Sequence, residues 1–294
     1  MLKNTFIKDV ATSSLQVTTL ANEIREINSI VSTEGVFVDK INTFVISRLK
    51  KMAIIIDTIA TSFSNITMYG ASAAHSVDLM GKPYVEKIVA GKRYSDVYKR
   101  KVAVPIGLKC TLPNAVAIVG KNIKILDGSA EPAIRELSDL MSELMFDSES
   151  RVSFKKRGLG IFTDKLLKQL RDDLAAILDP ADYSDIRFIE EVIPNLSCLV
   201  TIQDNLQVAL SKIPVKTMRD IDSQTKIMRE KIEIFAEHVD EKSGNIKMSK
   251  QALEDLITTI ETLANGISLS MSFYALTMQL GTTFNGVMSA IREN

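Results

Sequence analysis

At 294 residues the chain has length for one large domain or two modest ones, and 46% apolar with 24% charged residues is the balance of a folded protein rather than a disordered one. Lys plus Arg equal Asp plus Glu at 36 each, so no global field draws the chain to nucleic acid or to an anionic membrane. Tryptophan is absent and aromatics are only 6%, which leaves few platforms for stacking bases or sugars.

The N-terminal region opens with Lys3, Lys8 and Asp9 and no continuous apolar run, so no secretory signal is expected. An apolar stripe then follows the three-four spacing of a helix: Val10, Ser13, Val17, Leu20, Ile24, Ile27, Val31. Ser32-Thr33-Glu34-Gly35 breaks it, with Gly35 suited to a helix C-cap. A second stripe runs from Val38 through Met52, Ile56, Ile59, Phe63 and Ile66 to Val77. The break is short, so 4–33 and 36–80 are predicted to fold back as an antiparallel helical hairpin. Gly81-Lys82-Pro83 is read as the end of the second helix.

Residues 81–214 read as an α+β middle domain. Short β-like runs appear near 100–126: Lys101–Val104, Ile106–Thr111, Ala115–Val119 and Asn122–Leu126. Pro105, Pro113-Asn114 and Gly120-Lys121 punctuate them as turns. Helical pattern resumes at Glu131-Pro132. Further helices are predicted over Thr163–Leu178, over about Asp185–Ile193, and from an Asn195 cap to a stop before Pro214. Charge is uneven here: residues 81–128 hold ten Lys or Arg against three Asp or Glu, whereas 129–150 hold one against six. The basic segment around Lys99, Arg100, Lys101 and Lys109 is a candidate contact for an acidic partner surface, and solvation or facing acids in the same chain is its plainer explanation.

The C-terminal region carries two more stripes. Met218, Ile221, Thr225, Met228, Ile232, Phe235 and Val239 place a helix over 215–240. Leu253, Leu256, Ile260, Leu263, Ile267, Ser270, Tyr274, Thr277, Gly281, Phe284, Met288 and Ile291 place a longer one over 249–292. Thr262 to Ile291 contains no charge across 30 residues. That length could span a bilayer core of about 30 Å. Fourteen of those residues are Ser, Thr, Asn, Gln or Gly, and Asn265, Gln279 and Asn285 would be costly against lipid. A helix covered by protein on several faces is the expected reading, and a membrane-active helical protein of pore-forming or effector type is the alternative.

Chemistry is sparse. His75 lies in an uncharged stretch near Ser72, with no acid to orient it, and His238 sits beside Glu237 and Asp240. Cys110 and Cys198 form neither a CxxC pair nor a disulfide framework, which suits a reducing compartment. Gly158-Leu-Gly160 lacks the remainder of a phosphate-binding loop. Asp172-Asp173 reads as a solvated helix face. No catalytic residue, cofactor or metal ligand is assigned, and the protein is not expected to be an enzyme.

The expectation is therefore a mainly α protein in three parts: a hairpin over 1–80, the middle domain over 81–214, and a hairpin over 215–294 that packs on the first as a bundle. Its packing seam is assigned to Ile56, Ile59, Phe63, Ile66, Leu256, Ile260, Leu263 and Ile267. The function expected is that of a structural building block of a large particle, of virion or phage type, whose partners are protein subunits, in the cytoplasm or within a viral particle. A small-molecule substrate, nucleic acid and membrane are not expected as partners.

Overall fold

The structure is a computed structural model and describes residues 82–90, 95–133, 135, 136, 139, 160–179, 181–213, 250–293 and six positions between 223 and 234. Helix makes up 74% of the described residues, and the rest includes one small two-stranded antiparallel sheet. The expected hairpin over 1–80 lies outside the described residues. So does most of the helix expected over 215–240, although the six described positions within it are helical.

Helix α1 spans Lys82–Ala90 and α2 spans Ser95–Tyr98. Gly81-Lys82-Pro83 was expected only to end a helix, yet Pro83 stands in the first turn of α1, where a missing N–H costs nothing. Strand β1 follows at Lys101–Ala103, within the first run that the sequence marks as β.

The next runs correct the sequence reading. Ala115–Val119 and Asn122–Leu126 are not strands, and Pro113-Asn114 and Gly120-Lys121 are not turns. All lie in one helix, α3, spanning Leu112–Leu126. Its buried residues are Leu112, Ala115, Val116, Val119, Asn122, Ile123 and Leu126. That is the three-four spacing of one helical face. Valine and isoleucine at three of these seven positions suggest β structure, but β-propensity yields when a continuous face can be buried. Ile106–Thr111 is not a strand either. Gly107 takes a positive φ of 74°, and Leu108 makes only an isolated bridge to Leu178.

Beyond Leu126 the described positions of the helix expected from Glu131 are helical, with Ala130 and Ala133 buried. Helix α4 spans Asp164–Ile177 and matches its expected limits. Thr163 caps it, its hydroxyl accepting from the Leu166 N–H at 3.2 Å. The expected helix over about 185–193 is instead a strand and one helical turn: β2 spans Ile186–Phe188 and α5 spans Ile189–Val192. Asn195 accepts from the Ser197 N–H at 2.9 Å and opens a 3-10 turn over Leu196–Cys198. Helix α6 then runs Leu199–Ser211.

Strands β1 and β2 pair antiparallel, with Lys101 opposite Phe188, Val102 opposite Arg187 and Ala103 opposite Ile186. The ladder extends at both ends through Val104 N–H to Asp185 O at 2.8 Å and Ile189 N–H to Arg100 O at 2.9 Å. Gly107 is needed where the two segments continue side by side. A Cβ there would collide with the Asp179 carbonyl oxygen, to which a backbone neighbour cannot yield.

Helix α7 spans Lys250–Arg292, 43 residues, within one residue of its expected start and on its expected end. At about 1.5 Å per residue it is roughly 65 Å long. Its C-terminal part packs against α3, α4, α6 and β1. One core cluster joins Val85 through Ile213 with Leu263 through Ile291. From Leu263 to Ile291, α7 thus runs through the segment that the sequence marks as a middle domain.

Candidate functional site

Two places in the described residues bear on the expected functional residues: the uncharged part of α7, and the ribbon formed by β1 and β2.

From Thr262 to Ile291, only Thr282 and Ser289 are exposed among the described side chains, and Asn265, Gln279, Asn285 and Gly286 are half-buried. Gln279, Thr282, Gly286 and Ser289 step by three, four and three, so one narrow polar strip faces solvent near the C-terminal end. Leu263, Ile267, Tyr274, Phe284 and Met288 of the expected seam are at 0 to 1% exposure. Phe273, Leu280 and Val287 lie on other faces and are equally buried. Leu256 and Ile260 fall within α7, but their side chains lie outside the described residues, as do Ile56, Ile59, Phe63 and Ile66 altogether.

Three buried hydroxyls on α7 find acceptors on the helix itself. Ser270 donates to Gly266 O at 2.8 Å, Ser272 to Ser268 O at 3.0 Å and Thr277 to Phe273 O at 2.7 Å. This four-residue back-bonding lets a Ser- and Thr-rich helix enter a dry core without unmet donors. Small residues then admit neighbours: the ring of Phe162, itself fully buried, occupies the space where a Gly266 side chain would start. Tyr274 donates from its hydroxyl to Leu126 O at 3.2 Å and closes the last turn of α3. Burial first, and the Asp127 charge second, push the Tyr274 phenol well above its ordinary value and keep it neutral. Among the described residues no helix is long and apolar enough to cross a membrane.

The ribbon displays the expected basic residues unequally. Lys99, Lys101 and Lys109 are exposed. Lys101 Nζ lies 5.2 Å from the centre of the Phe188 ring, a cation–π contact across the two strands. Arg100 is half-buried and turned inward. Its Nη1 donates to Ala290 O at 3.1 Å and to Glu293 Oε2 at 3.4 Å, which places a cation on the C-terminal turn of α7. Arg100 is therefore committed within the chain.

Of the remaining described ion pairs, two join segments distant in sequence and two are local, Arg135 with Glu131 and Arg187 with Asp182; none joins the basic stretch 81–128 to the acidic stretch 129–150. Lys121 and Asn122 of α3 both reach Asp173 Oδ2 on α4, at 3.2 and 2.9 Å. Asp173 is thus a bridge between helices, not the solvated residue that the sequence suggests, whereas Asp172 is exposed. Lys212 pairs with Asp127. Arg187 Nη2 donates to Asp182 Oδ2 at 2.7 Å. Hydrogen bonds from Ser184, and then the Arg187 charge, hold the Asp182 carboxyl below its ordinary value.

The ribbon also carries a feature that the sequence reading missed. Tyr183, Ile186 and Phe188 are 79, 56 and 38% exposed. Alternation puts Ile186 and Phe188 on the same ribbon face as Lys101, while Val102 turns to the core beside Gly286. The signal is the Ile-x-Phe alternation, which lies inside the span read as a helix over about 185–193.

Neither cysteine is set up as a nucleophile. Both thiols are free and half-buried, and burial raises each above its ordinary value. Cys198 directs its Sγ to Asn195 O at 2.7 Å. His75 and His238 lie outside the described residues. No group of three or more His, Cys, Asp or Glu among the described residues could hold a metal ion. No family model, curated protein or solved structure matches the chain.

Proposed function

We propose that this protein is a non-enzymatic helical building block of a multi-subunit assembly, with protein subunits, copies of itself or others, as its partners. A virion- or phage-type particle is the class of assembly that this composition suits. In this reading the apolar stripes of residues 1–80 and 215–240 bundle with the N-terminal end of α7, ahead of Leu263, and with helices of neighbouring subunits. Lys99, Lys101 and Lys109 meet an acidic surface on one of them.

The observation that carries the reading is the continuous 43-residue α7. About 30 Å of helix already spans a small domain, and α7 is roughly twice that long. Residues Leu263 to Ile291 are spent inside one core, and in this reading Leu253, Leu256 and Ile260 ahead of them continue the seam toward other helices. The test is the mass of the purified chain in solution over a range of concentrations, with and without phospholipid vesicles. A discrete oligomer or polymer that forms without lipid supports the proposal. A monomer at every concentration that sediments with vesicles would overturn it.

A further inference from the structure

We draw no further inference here: the strongest candidate, the outer edge of β2 with Tyr183, Ile186 and Phe188 exposed beside it, is an apolar face without a partner among the described residues, and nothing in the structure shows what covers it, since both acids and lysines flank it in sequence.

Discussion

Between Thr262 and Ile291, α7 is rich in Ser, Thr and Gly and is almost wholly interior, whereas the β1–β2 ribbon places an isoleucine and an aromatic ring in solvent. Taken residue by residue, hydropathy would not send those Ser, Thr and Gly positions inside and leave Ile186 and Phe188 outside. The difference lies in what each backbone offers its side chains. A helix supplies a carbonyl four residues back to every buried hydroxyl, and its small residues let neighbours approach, so modest polarity does not bar burial. A two-stranded ribbon has two faces, and among the described residues only the one carrying Val102 has a neighbour. Its other face carries the exposed Ile186 and Phe188. The interior of this protein follows from packing geometry first and from residue hydrophobicity second.

The largest expected effect sets one phenylalanine against another. Phe284 is fully buried on α7, and Phe188 is 38% exposed on β2. Phe284→Ala should cost about 3–5 kcal/mol in denaturant unfolding, the usual cost of emptying a packed aromatic site. Phe188→Ala should cost under about 1 kcal/mol, mostly the exposed cation–π contact with Lys101. Equal losses would mean that the ribbon face is covered after all. Removal of residues 280–294 would not separate assembly from folding, because it takes Phe284, Val287, Met288 and Ile291 out of the core.

Two glycines sharpen the same contrast at smaller scale. Both sit inside helices, where alanine is ordinarily better by about 1 kcal/mol. Gly266 on α7 faces the Phe162 ring. Gly266→Ala must displace a fully buried side chain, and overpacking of that kind costs roughly 1–3 kcal/mol. Gly120 on α3 has open space where its side chain would begin. Gly120→Ala should therefore stabilise, by about 0.5–1 kcal/mol. The sign of each shift in unfolding midpoint is the readout. A destabilising Gly120→Ala would argue that this position is not helical.

Gly120 also marks where the sequence was hard to read. The span of α7 was legible because its apolar stripe persists for twelve positions and no proline interrupts it. Helix α4 was legible from Thr163 at one end and Asp179-Pro180 at the other. Helix α3 was not. It is short and rich in valine and isoleucine, and its Pro113 and Gly120 imitate turn signals, so periodicity and propensity disagree over 15 residues. Strand β2 was missed for the opposite reason: three residues are too few to show a period, and their pairing with Lys101–Ala103 spans some 85 residues of chain. Of the expected contact residues, exposure of Lys99, Lys101 and Lys109 agrees with a surface role. The inward turn of Arg100 depends on where the end of α7 arrives, which no local pattern encodes.

The smallest effect on folding should carry the largest effect on assembly. Lys99, Lys101 and Lys109 are exposed, and none has an ion-pair partner among the described residues. Reversing all three to Glu while keeping Arg100 should change stability by no more than about 0.5 kcal/mol at Lys99 and at Lys109, the scale of ordinary surface substitutions, and by up to about 1 kcal/mol at Lys101, which also loses its contact with the Phe188 ring. If these lysines face an acidic subunit surface, the same variant should fail to assemble, because like charges then meet across the contact. Raising the salt concentration should weaken assembly of the unaltered chain in parallel, since exposed pairs are screened. Arg100→Ala serves as the counterpart. It removes hydrogen bonds to the end of α7 and should cost about 0.5–1.5 kcal/mol. It should leave assembly intact wherever the protein remains folded. Assembly that survives the triple reversal and is indifferent to salt would remove the basic contact from the proposal. The long-helix argument would then stand alone, to be decided by solution mass.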